Sequence, residues 1–250
     1  MAERELFLKA KETMLGKMQG ERGIGTMSEK SVHSVLKYYY APDESYHEIP
    51  FGPYVADTCV DGEIHEIQTR QFYRMMNKLT FFLNEGAEVH IVYPVSVENT
   101  IIWIDPTTGV VQKSRIVKTP KRIYKVFREL YGIRELLDNE HLHLKLALLK
   151  TEDYRLLDGY GTDKKKRATK TDKIPVELVD EMVFEKLSET VSLLPDNLPE
   201  EFSVKEFAKS TALGKNDASV GLLLLHRLGA LKRRKEGREY IYKKMIPKKP

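Results

Sequence analysis

Two short strands joined by a tight turn constrain the fold of this 250-residue chain more than any other feature. The runs Tyr54–Val60 and Glu63–Thr69 are short, contain several β-branched residues and are bounded by turn residues, which is typical of strands. Asp61-Gly62 lies between them, and this dipeptide favours a two-residue turn with positive φ at both positions. The sequence therefore predicts an antiparallel β-hairpin.

The elements around this hairpin indicate an α/β fold. Apolar periodicity and turn signals predict the order helix, three strands, helix, strand. The predicted helices are Glu3–Gln19, Glu29–Tyr40, Arg70–Asn84, Lys121–Leu137 and Val176–Leu194, and the further strands are Tyr46–Pro50, Val89–Val95, Ile101–Ile104, Val110–Ile116 and Leu142–Leu149. We expect an α/β domain over residues 1–165 and a second domain over residues 174–250, with the lysine-rich run 164–173 as a charged loop.

The hairpin also predicts a pair of neighbouring carboxylates. Asp57 lies late in one strand and Glu66 lies on the next. Gln68 shares the face of Glu66, while Ile67 between them points into the core, because side chains alternate along a strand. Two adjacent carboxylates repel unless a cation lies between them, and oxygen ligands of this kind suit Mg²⁺ or Mn²⁺. Such an ion can activate water for attack on a phosphate.

This arrangement resembles the PD-(D/E)XK nuclease superfamily, whose core has the order helix, three strands, helix, strand. The resemblance implies a restriction-endonuclease-like mixed-sheet core with metal-dependent phosphodiesterase activity. It also implies that Asp57 and Glu66 are metal ligands, that Gln68 replaces the lysine that positions or deprotonates water, and that Glu29 is the acid on the first helix. The chain is also similar to a group of bacterial proteins with this core and a C-terminal winged helix. Many nucleases of this type dimerise, so the resemblance makes a homodimer an expectation.

The chain departs from the superfamily at Gln68, which is neutral and cannot supply the charge of an ammonium. Gln occurs at this position in some members. Lys78, Arg70 or Arg74, on the helix that follows the hairpin, are alternative sources of positive charge.

Further candidates lie on the elements before the hairpin. Glu29 and His33 are four residues apart and share one helix face, so they either both face the carboxylates or form a surface pair. Glu48 on the first strand is the alternative third acid. Of Glu29 and Glu48, Glu29 is the preferred third acid.

Other histidines have simpler interpretations. His65 alternates with Glu66 and is expected to face away from the carboxylates. His90, on a buried strand, is expected to be a hydrogen-bonded core residue. His141 and His143 share a strand face and form either a metal pair or, as we favour, part of an exposed face.

The end of the chain is strongly basic. Residues 205–250 contain 13 Lys and Arg but only 4 Asp and Glu, a net charge of +9. Because the whole chain carries +4, the rest carries −5. A basic tail behind an acidic front favours a polyanionic partner.

The tail also has the pattern of a helix-turn-helix followed by a wing. Ser203 and Glu206 have the spacing of a capping box at the start of one helix. Asn216 or Asp217 is expected to cap a second helix, and Gly229 to end it. The helix Val176–Leu194 would supply the first helix of this unit. The predicted strands of the wing are Ala230–Arg234 and Glu239–Tyr242.

A winged helix of this kind places its second helix in the major groove of DNA. We expect DNA contacts from the start of that helix and from the wing, namely from Lys215, Asn216, Ser219, Arg233, Arg234, Lys235 and Arg238. The alternative is a winged helix that binds protein, with its charges merely solvated.

Composition narrows the class of protein. Cys59 is the single cysteine, which excludes an intrachain disulfide framework. Apolar runs are too short to span a bilayer, and the N-terminus lacks the apolar region of a signal peptide. These features predict a cytoplasmic protein without a membrane partner.

Together these patterns predict a DNA-binding deoxyribonuclease that depends on Mg²⁺ or Mn²⁺. The alternative is a catalytically inactive nuclease-fold protein that acts as a DNA-binding regulator or adaptor, which the neutral Gln68 allows. A purely structural role in assembly is a third, weaker hypothesis.

Overall fold

The structure is a computed structural model that describes residues 3–21, 30–160 and 167–245. It has an α/β fold, as predicted. The chain divides into two compact units. The first comprises Met1–Thr69, His90–Pro120 and Lys145–Met182, and the second comprises Arg70–Val89, Lys121–Leu144 and Val183–Pro250.

A seven-stranded sheet organises the first unit. Its strands are β1 (His47–Phe51), β2 (Tyr54–Val60), β3 (Glu63–Ile67), β4 (Glu88–Ile104), β5 (Val111–Lys118), β6 (Leu142–Leu156) and β7 (Thr169–Phe184). Their order along the sheet is β1-β2-β3-β4-β6-β7, and β5 pairs antiparallel with β4. The two strands predicted over Val89–Val95 and Ile101–Ile104 are parts of the single strand β4.

One apolar core joins two helices to this sheet. Helices α1 (Glu3–Glu21) and α2 (Lys30–Tyr40) pack against each other. Apolar residues three and four positions apart give α2 its buried stripe. The buried members of this core are Phe7, Ala10, Met14, Val32, Val35, Leu36, Ile67, Val92, Ala147, Leu149 and Leu178. Ile67 therefore points into the core, as predicted.

The second unit contains shorter elements. These are α3 (Met76–Asn84), α4 (Val126–Tyr131), β8 (Glu201–Ser203), α5 (Val204–Thr211), α6 (Lys215–Arg227), β9 (Leu231–Glu236) and β10 (Glu239–Lys244). Strands β8, β10 and β9 form an antiparallel sheet in that order. Short 3₁₀ helices in the chain are Glu44–Tyr46, Phe72–Met75, Pro120–Lys125, Arg134–Leu136 and Leu187–Leu193.

Local capping rules define the helix pair α5 and α6. The predicted capping box is confirmed: Ser203 Oγ accepts a hydrogen bond from Glu206 N at 3.3 Å, and Glu206 Oε2 accepts one from Ser203 N at 2.7 Å. Gly229 follows α6 with a φ of 76°, so its predicted role at the end of the helix is also confirmed.

The predicted start of α6 at Asn216 or Asp217 is wrong. The helix begins at Lys215, and Gly214 in an extended conformation is its N-cap. Asp217 instead forms an ion pair with Arg128 of α4, so its carboxylate serves packing of the unit rather than capping.

The helix predicted over Val176–Leu194 is also wrong. Residues 169–184 form β7, and a 3₁₀ helix follows at Leu187–Leu193. Many of the residues of β7 are β-branched, which favours a strand over a helix. Pro175 lies within β7, which is an edge strand, where a proline is tolerated.

The core of the first unit should depend on Leu36, which is fully buried. We expect Leu36→Ala to lower the free energy of unfolding by about 2–5 kcal/mol, because it removes buried methyl groups and leaves a cavity. The matched control is Leu8→Ala on α1, where the side chain is 48% exposed and the expected change is within about 0.5 kcal/mol. Urea unfolding of both variants measures the difference, and equal losses would contradict this assignment of the core.

Candidate functional site

The turn between β2 and β3 fixes which residues of the two strands lie side by side. Asp61 and Gly62 have φ angles of 51° and 89°, as the predicted two-residue turn requires. The strand pairing then runs through Val60 with Glu63, Cys59 with Ile64 and Thr58 with His65. The next residues along the two strands are Asp57 and Glu66.

Asp57 and Glu66 each bind the backbone of the opposite strand. The Asp57 N–H donates to Glu66 Oε1 at 3.2 Å, and the Ile67 N–H donates to Asp57 Oδ2 at 2.9 Å. Glu66 is 2% exposed. A buried carboxylate is costly unless hydrogen bonds or positive charge compensate it, so this pair is held in place by a specific local environment.

Helix α2 adds two basic side chains to this pair. His33 Nε2 lies 3.0 Å from Asp57 Oδ2, and it is the donor because an ionised carboxylate only accepts. Lys37, one turn further along the helix, is 8% exposed and forms an ion pair with Glu48 of β1. Residues four apart lie on one helix face, so α2 presents both groups in the same direction.

Glu48 has an unusual backbone conformation. Its φ is 50°, in the left-handed region that a residue with a side chain seldom adopts. In the pairing of β1 with β2, His47 lies opposite Thr58 and Ile49 opposite Ala56, so Glu48 falls opposite Asp57. Three acids therefore follow one another across β1, β2 and β3. A strained residue at such a place is a common mark of a functional site.

Three of the predicted site residues, Asp57, Glu66 and His33, are thus brought together. Gln68 lies just beyond β3, and its N–H donates to the carbonyl of Val92 at 2.9 Å. Glu29 lies outside the described residues. Lys37 was missed, although its spacing of four residues from His33 on an amphipathic helix was a usable signal.

The alternative sources of charge after the hairpin belong to the second unit, and of the three only Lys78 lies on α3. Lys78 Nζ lies over the ring of Phe82, and Arg74 Nε contacts the hydroxyl of Tyr73. Arg70 lines a basic cleft described below.

A second group of side chains surrounds His65. Its ring stacks between those of Tyr40 and His90, at 4.7 and 5.0 Å between ring centres. Lys145 Nζ lies 2.9 Å from His65 Nε2. Burial, followed by the charges of Lys145 and His90, lowers the pKa of His65 to about 3, so its imidazole is neutral near pH 7. Glu63, two residues before His65 on β3, lies 3.7 Å from His90 Nε2.

A third group lies in the second unit. The Glu88 carboxylate bridges two histidines, at 2.6 Å from His141 Nδ1 and 2.8 Å from His143 Nε2. His143 Nδ1 lies 2.7 Å from the carbonyl of Glu185. The two histidines therefore share a face, as predicted, and one carboxylate binds both, but the expected exposed face is wrong for His143, which is buried.

The basic residues of the tail lie at the surface of the second unit. Lys215 and Asn216 are exposed at the start of α6, and Ser219 is half-buried. On β9, Arg233 lies over the ring of Tyr240 at 4.9 Å, and Arg234 binds two carboxylates. Lys235 and Arg238 are exposed beside the turn of the β9–β10 hairpin.

A basic cleft of about 680 Å³ opens beside the start of α6 in the same unit. Three arginines, two tyrosines and an asparagine are among its lining residues, namely Arg70, Arg128, Arg134, Tyr73, Tyr131 and Asn216. Guanidinium groups and aromatic rings are the side chains that bind phosphates and stack on bases.

The bridge from Glu88 makes His141 easier to protonate. The hydrogen bond to Glu88 and its negative charge raise the pKa of His141 above the ordinary value of 6.5. Stabilisation from this pair is therefore complete below pH 6.5 and is lost as the pH rises through the raised pKa. We expect Glu88→Gln to return the pKa of His141 towards 6.5, as measured by NMR titration. Glu140→Gln, which removes a more distant charge, should lower it less. A pKa unchanged by Glu88→Gln would contradict the bridge.

Comparison with known proteins shows one family and one curated relative. An "Uncharacterized protein" of Treponema pallidum (strain Nichols) is 29% identical over 228 residues, which cover 90% of this chain and 88% of that protein. No solved structure matches the chain. Within the described residues, no helix is both long enough and apolar enough to cross a membrane. The family described as "Domain of unknown function (DUF8091)" matches residues 30–185, which include α2, the sheet and the three acids, and the chain belongs to this family.

Proposed function

We propose that this chain is a DNA-binding, metal-dependent phosphodiester hydrolase with a site of the PD-(D/E)XK type. The observation that carries the proposal is the row of Glu48, Asp57 and Glu66 across three neighbouring strands, with His33 and Lys37 of α2 beside it. Neighbouring acids repel one another, and cation binding is the simplest use for such a row.

The chemistry of these donors suits a hard divalent cation, and the three acids must draw closer to hold one, because their ligand atoms do not all lie within 4.8 Å of one another. Carboxylate oxygens are the ligands that Mg²⁺ and Mn²⁺ prefer. Asp57 and Glu66 would hold the ion, because each is fixed by a backbone N–H of the opposite strand. Glu48 is the third acid that the described residues offer. Its side chain is exposed, so it can turn towards an ion, but only by breaking its ion pair with Lys37.

When bound, Mg²⁺ or Mn²⁺ would lower the pKa of a coordinated water and neutralise charge on the phosphate. The protein's own groups would do the rest. His33 holds the Asp57 carboxylate in one orientation through its hydrogen bond to Oδ2. Lys37 provides the ammonium that Gln68 lacks, from the helix instead of the strand. Gln68 can orient water through its amide but cannot carry charge.

The second unit would supply the contact with DNA. We interpret α5, α6 and the β9–β10 hairpin as a winged helix, with α6 in the major groove and the hairpin against the backbone. Lys215, Asn216 and Ser219 lie on the first turns of α6, and the exposed basic residues of the hairpin suit phosphates. Arg234 is the weakest of these candidates, because Glu201 and Glu236 already bind it.

The second candidate function is a DNA-binding regulator or adaptor whose core has lost activity. The neutral Gln68 favours it, because the group that would normally carry a charge beside the water is missing from the strand. This candidate predicts DNA binding without cleavage, so the two experiments below separate it from the hydrolase.

Removing either metal ligand should abolish cleavage. We expect Asp57→Asn and Glu66→Gln each to lower the Mg²⁺- or Mn²⁺-dependent rate at least about a hundredfold, because each removes a charge that holds the ion. Cleavage of single-stranded, duplex and branched DNA by purified full-length protein measures this rate. Glu5→Gln, an exposed acid of α1, is the matched control and should leave it unchanged.

A pair of substitutions tests where the positive charge comes from. Lys37→Gln should lower the rate, and Gln68→Lys in that background should restore part of it.

Full activity in Asp57→Asn would refute hydrolysis at the proposed metal site. Absence of cleavage with all three DNA forms, in protein shown to bind Mn²⁺, would favour the regulator.

DNA binding should weaken when single basic residues of the second unit are removed. We expect Lys215→Ala and Lys235→Ala to weaken binding equally for all sequences, because they contact phosphates. Each lost contact should also make the logarithmic salt dependence shallower by about 0.9. Fluorescence anisotropy with duplex DNA at several salt concentrations measures both effects.

The control for this experiment is Lys186→Ala, which removes an exposed lysine outside α5, α6 and the hairpin. It should leave the salt dependence unchanged. If all three variants weaken binding equally, general charge rather than a defined surface binds DNA. If the wild-type protein binds no duplex at low salt, the winged helix has another partner.

A further inference from the structure

Two histidines and a glutamate meet on the face of the sheet that carries the His65 stack. Glu63 and His65 are two residues apart on β3, so they share one face, and His90 lies on the neighbouring strand β4. One potential ligand atom from each of the three lies within 4.8 Å of those of the other two. All three belong to the first unit, and the proposed phosphodiester site uses none of them.

We propose that Glu63, His65 and His90 form a binding site for a divalent transition metal, with Zn²⁺ as the best match. Two imidazoles with one carboxylate are a ligand set that zinc and related ions take, whereas Mg²⁺ prefers oxygen alone. Three protein ligands leave a fourth tetrahedral position for water or another small ligand.

The three side chains must move closer together to accept the ion. Ligand atoms around tetrahedral zinc lie roughly 3.3 Å apart, given bonds of about 2.0 Å. Glu63 can close this gap, because its side chain is 56% exposed and lies at the start of β3. The two rings are more tightly held: His65 is 5% exposed and His90 is 7% exposed. The two imidazoles are stacked with 16° between their planes, so one ring must turn for both to direct a nitrogen lone pair at the same ion.

An unused ring nitrogen also points to a ligand. Nδ1 of His65 is buried and, among the residues that the structure describes, makes no hydrogen bond. Buried polar atoms nearly always have a partner, and each exception requires an explanation. A metal ion bound at Nδ1 would give this atom a partner.

Lys145 is the competing cation at this site. Its ammonium lies 2.9 Å from His65 Nε2, so the lone pair of that nitrogen already faces a positive charge. A metal that binds at Nε2 displaces the ammonium. One that binds at Nδ1 is repelled by it. In both cases the lysine weakens metal binding, and its removal should strengthen it.

Cobalt is the probe for this site, because tetrahedral Co²⁺ with nitrogen ligands absorbs visible light strongly and six-coordinate Co²⁺ with oxygen ligands does not. We expect metal-free, full-length protein to bind one Co²⁺ with a tetrahedral spectrum at neutral pH, and Zn²⁺ to displace it. Glu63→Gln and His90→Ala should each weaken binding at least about tenfold. Lys145→Met should tighten it.

Three control variants make the outcome decisive. Glu85→Gln changes an exposed acid elsewhere, Asp57→Asn removes a ligand of the proposed phosphodiester site, and His141→Gln breaks the histidine pair of the second unit. None should change the tetrahedral spectrum. Circular dichroism establishes that each variant is folded, and Glu63→Gln, at an exposed position, keeps the test valid if His90→Ala does not fold.

Several results would overturn the proposal. These are absence of a tetrahedral spectrum in wild-type protein, a spectrum lost in His141→Gln or Asp57→Asn, or affinity unchanged in both Glu63→Gln and His90→Ala. Affinity unaltered or weakened by Lys145→Met would overturn the competition with the ammonium. Loss of the spectrum in Asp57→Asn would assign the cobalt to the proposed phosphodiester site. The other results leave the proposed hydrolase untouched, because it needs neither His65 nor His90.

Discussion

The pairing register of β2 with β3 is the constraint on which the rest of the first unit depends. Positive φ at Asp61 and Gly62 limits the turn to two residues, and this fixes the partner of every residue on both strands. A slip of one residue would bring Glu66 to the core face and expel Ile67. The bonds from the backbone of each strand to the carboxylate of the other, at Asp57 and Glu66, act against such a slip.

Helix α2 places two basic side chains beside the acids of β1 and β2. Its apolar stripe, which includes Val35 and Leu36, buries one side of the helix in the core. The remaining side then carries His33 and Lys37 to the acids of β1 and β2. A lysine that is nearly buried would be costly without a partner, and Glu48 supplies one at the expense of a strained backbone. Packing of the core thus determines the electrostatics of the candidate site.

The sequence predicted those features that local rules control. The Asp61-Gly62 turn, the capping box at Ser203 and the apolar stripe of α2 each depend on residues within a few positions of one another. The ion pair of Lys37 with Glu48 depends on how a helix meets a strand, and no local pattern encodes the positive φ of Glu48. The prediction of a helix over Val176–Leu194 was wrong for a similar reason, because pairing with a distant strand decided the structure. Its mixed polar and apolar residues fit either structure, and pairing at the edge of the sheet decided for the strand.

Alternation along β3 gives the hairpin two chemically different faces. Glu63 and His65 point one way and Glu66 points the other, because successive side chains of a strand alternate. Glu66 lies with Asp57, which binds His33 of α2, whereas His65 lies with His90 beside Lys145. Since Mg²⁺ and Mn²⁺ prefer oxygen while Zn²⁺ accepts nitrogen, the two proposed sites would select different ions from one mixture. The same register that sets Asp57 beside Glu66 also sets His65 beside Thr58, so any change in the turn would alter both faces together.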